Sequence, residues 1–167
     1  RNGMSELVVK PPFDDLRWRL VYPLHYFDTV EKAQRDNNSI ILQSILKEES
    51  HFNLYAKSCV GASGLMQLMP ATFLEIQKNY GISGDIFDAN ANINAGSAYY
   101  RNLKIALDGK DLYAISAYNG GIGSVKSWFK KLNYNDIDEF VEQIPYPETK
   151  NYVKKVLRSY WVYGNVY

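Results

Sequence analysis

Two adjacent carboxylates, Glu48 and Glu49, follow Lys47 at the end of an apolar segment that begins Ile40-Ile41-Leu42 and continues Ile45-Leu46. A helix turns by about 100° per residue, so neighbouring carboxylates face different surroundings. Glu49 follows Leu46 by three residues, Ile45 by four and Leu42 by seven, which sets it on the buried stripe of an α-helix. Glu48 flanks that stripe near Ser44 and reads as solvated. A carboxyl held against apolar side chains loses hydration, its charged form is disfavoured, and its pKa rises to about 6 to 7, a range that suits a proton donor near neutral pH. Glu49 is therefore a candidate general acid. On the stripe alone, a helix-end glutamate that bends its charge out to water remains the alternative.

Other chemistry-bearing groups are weaker. Ser50 and His51 are helix neighbours that do not face each other, and nothing in the sequence positions a third orienting residue, so a serine triad is not expected. His25 and His51 lack the spacing of a helical metal pair, and with the single Cys59 they cannot supply a four-ligand zinc site from these residue types. Cys59, in the loop Ser58-Cys59-Val60-Gly61-Ala62-Ser63-Gly64, reads as a small filler without an evident base. The stretch from Gly120 to Ser127 resembles a phosphate loop, but Val125 stands where the motif needs glycine and no strand precedes it. Its glycines read instead as a helix stop that lets backbone come close to a ligand or another helix. Asn119, just before them, either presents its amide in that bend or bonds local backbone as a turn residue. Pro147 places Glu148 in a first helical turn with Tyr152 one turn later on the same face. Taken in isolation, that pair is a capping glutamate above a core tyrosine.

The elements that must position these groups are helical. Asp14 or Asp15 caps a short helix through Tyr22 stopped by Pro23, Asp28 caps another to about Asp36, and Asn38 or Ser39 caps the helix that ends near Glu49. After a loop from Asn53 to about Ala62 and an apolar turn over Gly64 to Met69, Pro70 opens a helix that Gly81 ends. Asp88 or Asn90 caps a helix carrying Ile93, Tyr99, Tyr100, Leu103 and Leu107; further helices run from Asp111 to Gly120, from Gly123 to Lys131 and after Asp136. The last opens at Pro147 and is expected to bury Val153, Val156, Leu157, Tyr160 and Trp161 on one face. No alternating strand pattern and no internal repeat is visible, so the fold class is mainly α, about eight helices.

Composition agrees with one compact domain. The chain has 167 residues, 46% hydrophobic and 22% charged, long enough to bury roughly 70% of its unfolded surface without a metal or disulfide framework. With 19 basic and 18 acidic residues the net charge is +1, and no run of five like charges occurs, so nucleic acid is not an expected partner. No apolar stretch reaches the roughly 20 residues of a membrane span. Residues 1 to 13, with Pro11 and Pro12, read as a linker, and the opening on Arg1 without a leader reads as a processed product or a piece of a longer chain.

Four ordered motifs resemble those of bacterial soluble lytic transglycosylases, in the lysozyme-like superfamily that includes goose-type lysozyme. They are Glu49-Ser50, Gly61 through Pro70, Ala117-Tyr118-Asn119-Gly120-Gly121, and Ile144 through Val153. Tyr22-Pro23, Ile86-Phe87-Asp88 and Asn92-Ile93 extend the resemblance over nearly all of the chain after Asp14, so residues 14 to 167 are expected to form a lysozyme-like catalytic domain. The resemblance implies cleavage of the β-1,4 bond between N-acetylmuramic acid and N-acetylglucosamine in peptidoglycan, with 1,6-anhydro products, no metal or cofactor, and a periplasmic or cell-envelope location. It implies that Glu49 is the single catalytic acid and base and that Ser58 lies near the reacting sugar. Gln67 and Met69 then resemble groove residues, Tyr118 and Asn119 shape the floor and position the glutamate, Glu148 contacts substrate and Tyr152 assists the reacting centre. Cys59 and Ala89 stand where many relatives have proline. The resemblance also implies further helical chain upstream. A lysozyme-type hydrolase of the same bond and a non-catalytic peptidoglycan-binding module are the competing functions.

Overall fold

The computed structural model describes residues 16–134 and 136–167. The expected linker over residues 1–13 and the capping roles of Asp14 and Asp15 lie outside the described residues. Nine helices are present among the described residues: α1 Leu16–Val21, α2 Phe27–Ala33, α3 Ser39–Ser50, α4 Pro70–Tyr80, α5 Ala89–Ala106, α6 Asp111–Gly120, α7 Ile122–Lys131, α8 Ile137–Gln143 and α9 Pro147–Val166. The expected mainly α class is what the chain adopts. None of these helices is long and apolar enough to cross a membrane.

Most boundaries follow the capping residues. The Asn38 carboxamide accepts from the Ile40 and Ile41 amides, Asp88 from Ala91 and Asp136 from Glu139, which satisfies otherwise orphaned first-turn donors. Gly81 ends α4 at φ 64°, a conformation that costs glycine nothing. The second helix departs from expectation. Tyr26, at φ 59°, occupies its N-cap, and its carbonyl takes the Thr29 and Val30 amides. Asp28 therefore sits inside the first turn, where its charge meets the positive end of the helix dipole, and the helix stops at Ala33.

α3 runs through the centre and packs chiefly on α9. Its surroundings correct the single-stripe reading: Ile41, Leu42, Gln43, Ser44, Ile45, Leu46, Lys47 and Ser50 are all buried, so almost the whole circumference is covered. The polar members bond backbone, Ser44 Oγ to the Ile40 carbonyl, Ser50 Oγ to Leu46, and Gln43 Nε2 to Pro23 and His25. The core that α3 enters also takes in Ile93 and Tyr100 of α5, Ile115 of α6, Val125 of α7, Phe140 of α8 and Val153 and Val156 of α9.

The buried face of α9 is also rotated from the expected one. Thr149, Tyr152, Val156, Ser159, Tyr163 and Val166 form its seam at alternating three-and-four spacing, with Val153 and Val162 beside it. Leu157, Tyr160 and Trp161 instead remain 37%, 38% and 39% exposed. A count of apolar side chains passed over the seam because two of its members, Thr149 and Ser159, are polar and find partners across the interface.

The loop between α3 and α4 is pinned from α5. Asn92, fully buried, accepts from the Met66 amide at 2.8 Å and donates to the Ile86 and Ser63 carbonyls. Gly64, at φ 81°, lies so close that a Cβ there would fall 2.2 Å from the Asn92 amide nitrogen. One turn along α5, a Cβ on Gly96 would stand 2.4 Å from the Met66 sulfur and 2.7 Å from its Cβ. Gly96→Val is accordingly expected to lower stability by roughly 1–3 kcal/mol through overpacking, read as a drop in Tm; an unchanged Tm would refute that close approach.

Candidate active site

Glu49 lies in the last turn of α3, which His51 terminates at φ 49° with its amide on the Lys47 carbonyl. The side chain is mostly buried, and burial pushes its carboxyl up from 4.5 to about 7. The Tyr152 hydroxyl, a hydrogen-bond donor toward it, opposes the rise, while the charges of Glu48 and Glu148 add to it. Tyr152 is 7% exposed, and its hydroxyl makes no bond of full hydrogen-bond geometry. It is thus a donor held toward the carboxyl and not committed elsewhere. Burial, and then the Glu49 charge, raise Tyr152 and Tyr118 well above the ordinary phenol range, so both stay protonated near neutral pH.

Tyr118 reaches the site from α6. Its hydroxyl donates to the Met66 carbonyl at 2.9 Å, tying α6 to the loop, and its ring leans on Tyr99 at 5.3 Å between centroids. Its neighbour Asn119 follows neither expected course: its carboxamide oxygen accepts from Thr149 Oγ1 at 2.7 Å, a bond across to the first turn of α9. Asn119 and Glu148, with Gly120, Tyr146, Pro147 and Thr149, line an open hollow of about 360 Å³. Thr149, 2% exposed, has no counterpart among the expected site residues, because its partner stands 30 positions away. Thr149→Val keeps the shape and removes this bond, which is worth about 1 kcal/mol; a Tm lowered by roughly 2–4 °C is expected.

The remaining candidates serve the loop. Ser58 Oγ accepts from the Ala62 amide, closing a turn around exposed Cys59. Gln67, at φ 47°, donates its amide to the Ala56 and Gly64 carbonyls at 3.0 and 2.9 Å. Met69 precedes α4 and is 45% exposed. The structure therefore brings Glu49, Tyr118 and Tyr152 together, sets Asn119 and Glu148 on the adjoining hollow, and places Ser58, Gln67 and Met69 on the loop that Tyr118 and Asn92 anchor.

Glu48 corrects the expectation of a solvated carboxylate. Its side chain is 5% exposed, with Oε1 3.1 Å from Lys47 Nζ and 2.5 Å from the donating Ser159 Oγ. Burial would raise its pKa, but the Ser159 bond, Lys47 and the charge of Arg158 together hold it below the usual carboxylate range. The two neighbouring glutamates are both enclosed, and they differ in their partners.

Residues 26–141 match the transglycosylase SLT domain. The soluble lytic murein transglycosylase of Salmonella typhimurium is 36% identical over 144 residues, which cover 81% of this chain and 22% of that protein. Among solved structures, the lytic transglycosylase Slt of Pseudomonas aeruginosa, an inactive Glu-to-Gln mutant, superposes with a TM-score of 0.83 at 33% identity over 90% of this chain and 25% of its own. The 70 kDa soluble lytic transglycosylase of Escherichia coli follows with a TM-score of 0.82 at 33% identity, covering 87% of this chain and 25% of that one. The chain thus spans about a fifth to a quarter of the length of these relatives. A domain match over most of the chain, joined to an all-helical superposition at this identity, means that the chain belongs to the transglycosylase SLT domain family.

Proposed function

We propose that this domain is a lytic transglycosylase that cuts the β-1,4 bond between N-acetylmuramic acid and N-acetylglucosamine in peptidoglycan, in the periplasm or cell envelope, with residues 14 to 167 forming the catalytic domain. The observation that carries the reading is the Glu49 carboxyl, buried at a helix end beside two protonated tyrosines and holding its proton up to about pH 7. Glycosidases commonly use two carboxylates, but substrate-assisted enzymes use one and take the nucleophile from the sugar. Glu48 is committed to Lys47 and Ser159, which leaves Glu49 as the titrating member of the pair.

In the proposed mechanism Glu49 donates its proton to the glycosidic oxygen as the bond to C1 of muramic acid breaks. The 2-acetamido carbonyl of the same sugar stabilises the electron-poor C1. Glu49, now a carboxylate, takes the proton of the 6-hydroxyl, and O6 bonds to C1 to close the 1,6-anhydro ring. Protons and bonds balance without water and without a metal or cofactor. Tyr152 holds the carboxyl through its hydroxyl, Tyr118 and Asn119 form the floor, and Glu148 meets substrate at the hollow. Ser58 and Met69 bound the groove on the loop side, and Gln67 acts through the backbone it braces. Tyrosine suits such a groove because its face packs on sugar C–H surfaces while its hydroxyl bonds the rim.

Mass spectrometry of muropeptides released from purified sacculi tests this reading. Products lighter by one water, released by the wild type and not by Glu49→Gln, are expected. Hydrated, reducing products would make the protein a hydrolase, and a folded wild type that binds sacculi without release would make it a binding module.

A further inference from the structure

The buried polar cluster behind Glu49 has no part in the mechanism above. Lys47, 8% exposed, lies over the Tyr22 ring with its ammonium 4.4 Å from the centroid and 3.1 Å from Glu48. Glu48 reaches Ser159, which is fully buried on the seam of α9 two turns beyond Tyr152. One carboxylate thus joins the last turn of α3, which carries Glu49, to the helix that carries Tyr152 and Glu148. Removing charges from water is costly, and a carboxylate enclosed on the flank of a core helix demands a compensating reason.

We propose that Glu48 is a positioning residue for Glu49: a fixed negative charge one residue away, clamped by Lys47 and Ser159, that biases Glu49 toward its proton-bearing form and fixes it against α9. The inference rests on Glu49 being the acid and base. The groups facing Glu49 are Tyr152 and Glu148 from α9, Tyr118 from α6 and Glu48 from its own helix. Those facing Glu48 are Lys47 from its own helix and Arg158, Ser159, Tyr152 and Tyr163 from α9. Its ion pair and hydrogen bonds keep Glu48 charged throughout the range in which Glu49 titrates, so its field on Glu49 is constant. Glu148 is exposed, and its contribution is therefore more readily screened by salt.

The test is the pH dependence of kcat/KM for muropeptide release, whose high-pH limb reports loss of the Glu49 proton in the free enzyme. Glu48→Gln keeps an acceptor for Ser159 and removes the charge. It is expected to move that limb to lower pH by roughly half a unit to one unit. Glu48→Asp keeps the charge and is expected to restore the wild-type limb even where it lowers Tm. Should Glu48→Gln not fold, Lys47→Met removes the cation that offsets Glu48 and is expected to move the limb the opposite way. A folded, active Glu48→Gln whose limb stays within about 0.2 of the wild-type pH overturns the proposal, because a merely structural carboxylate changes Tm and not the limb. An inactive wild type, or an active Glu49→Gln, overturns the functional reading instead.

Discussion

Glu49→Gln is expected to lower muropeptide release by at least about 10²- to 10⁴-fold, the usual contribution of a positioned general acid and base, and at the same time to raise Tm at alkaline pH. The second half follows from the same burial. Below the ordinary 4.5, the carboxyl is protonated in folded and unfolded chains alike, and the two proteins are expected to melt together. Between 4.5 and about 7 the folded chain retains a proton that the unfolded chain has released, so wild-type stability falls as pH rises, and the loss is complete above about 7. That loss is on the order of 3 kcal/mol. Glutamine carries no charge to enclose, so its advantage at pH 8 is roughly 5–10 °C in Tm for a chain of this size. Melting curves of both proteins at pH 4 and pH 8 check this. A Tm difference independent of pH would mean that Glu49 bends its charge out to water.

Tyr152→Phe is expected to reduce kcat by roughly tenfold to a hundredfold with little change in KM, since a hydrogen bond to a charged partner is worth about 1.5–3 kcal/mol. In the proposed mechanism the bond matters most after the proton has left, when the Glu49 carboxylate must be held for the second transfer. Because the Tyr152 hydroxyl opposes the rise in the Glu49 pKa, its removal also moves the high-pH limb upward. The expected direction is opposite to that of Glu48→Gln, which separates the two effects. Stability is expected to change little, because the lost hydroxyl is buried without a fully formed bond. Full kcat in Tyr152→Phe would remove the hydroxyl from the reaction.

How legible each feature was depended on how local its cause is. Asn38, Asp88, Asp136, Pro70 and Pro147 mark helix starts because a cap satisfies amides two or three residues on, or because proline needs no amide partner there. Tyr26 broke that rule with a left-handed backbone that no side-chain preference announces. The spacing from Leu42 to Glu49 located the carboxyl at the end of the central helix, and the ordered motifs named its companions Tyr118 and Tyr152. Both singled out Glu49, but neither showed that Glu48 is enclosed as well, since Ser159, which holds Glu48, lies 111 residues downstream. The seam of α9 was missed for the same reason: Thr149 and Ser159 look like surface residues until Asn119 and Glu48 are brought opposite them.

What spacing and capping settle is where helices begin and end and which side chains share a turn, because those forces act within a few residues. What packing settles is the ionisation of two neighbouring glutamates. Each loses water when the helices close over it, but Glu48 receives a cation and a hydroxyl in return, and Glu49 receives a tyrosine and two negative charges. The difference between a fixed anion and a carboxyl that keeps its proton toward neutral pH is therefore made largely by α9 folding back on α3.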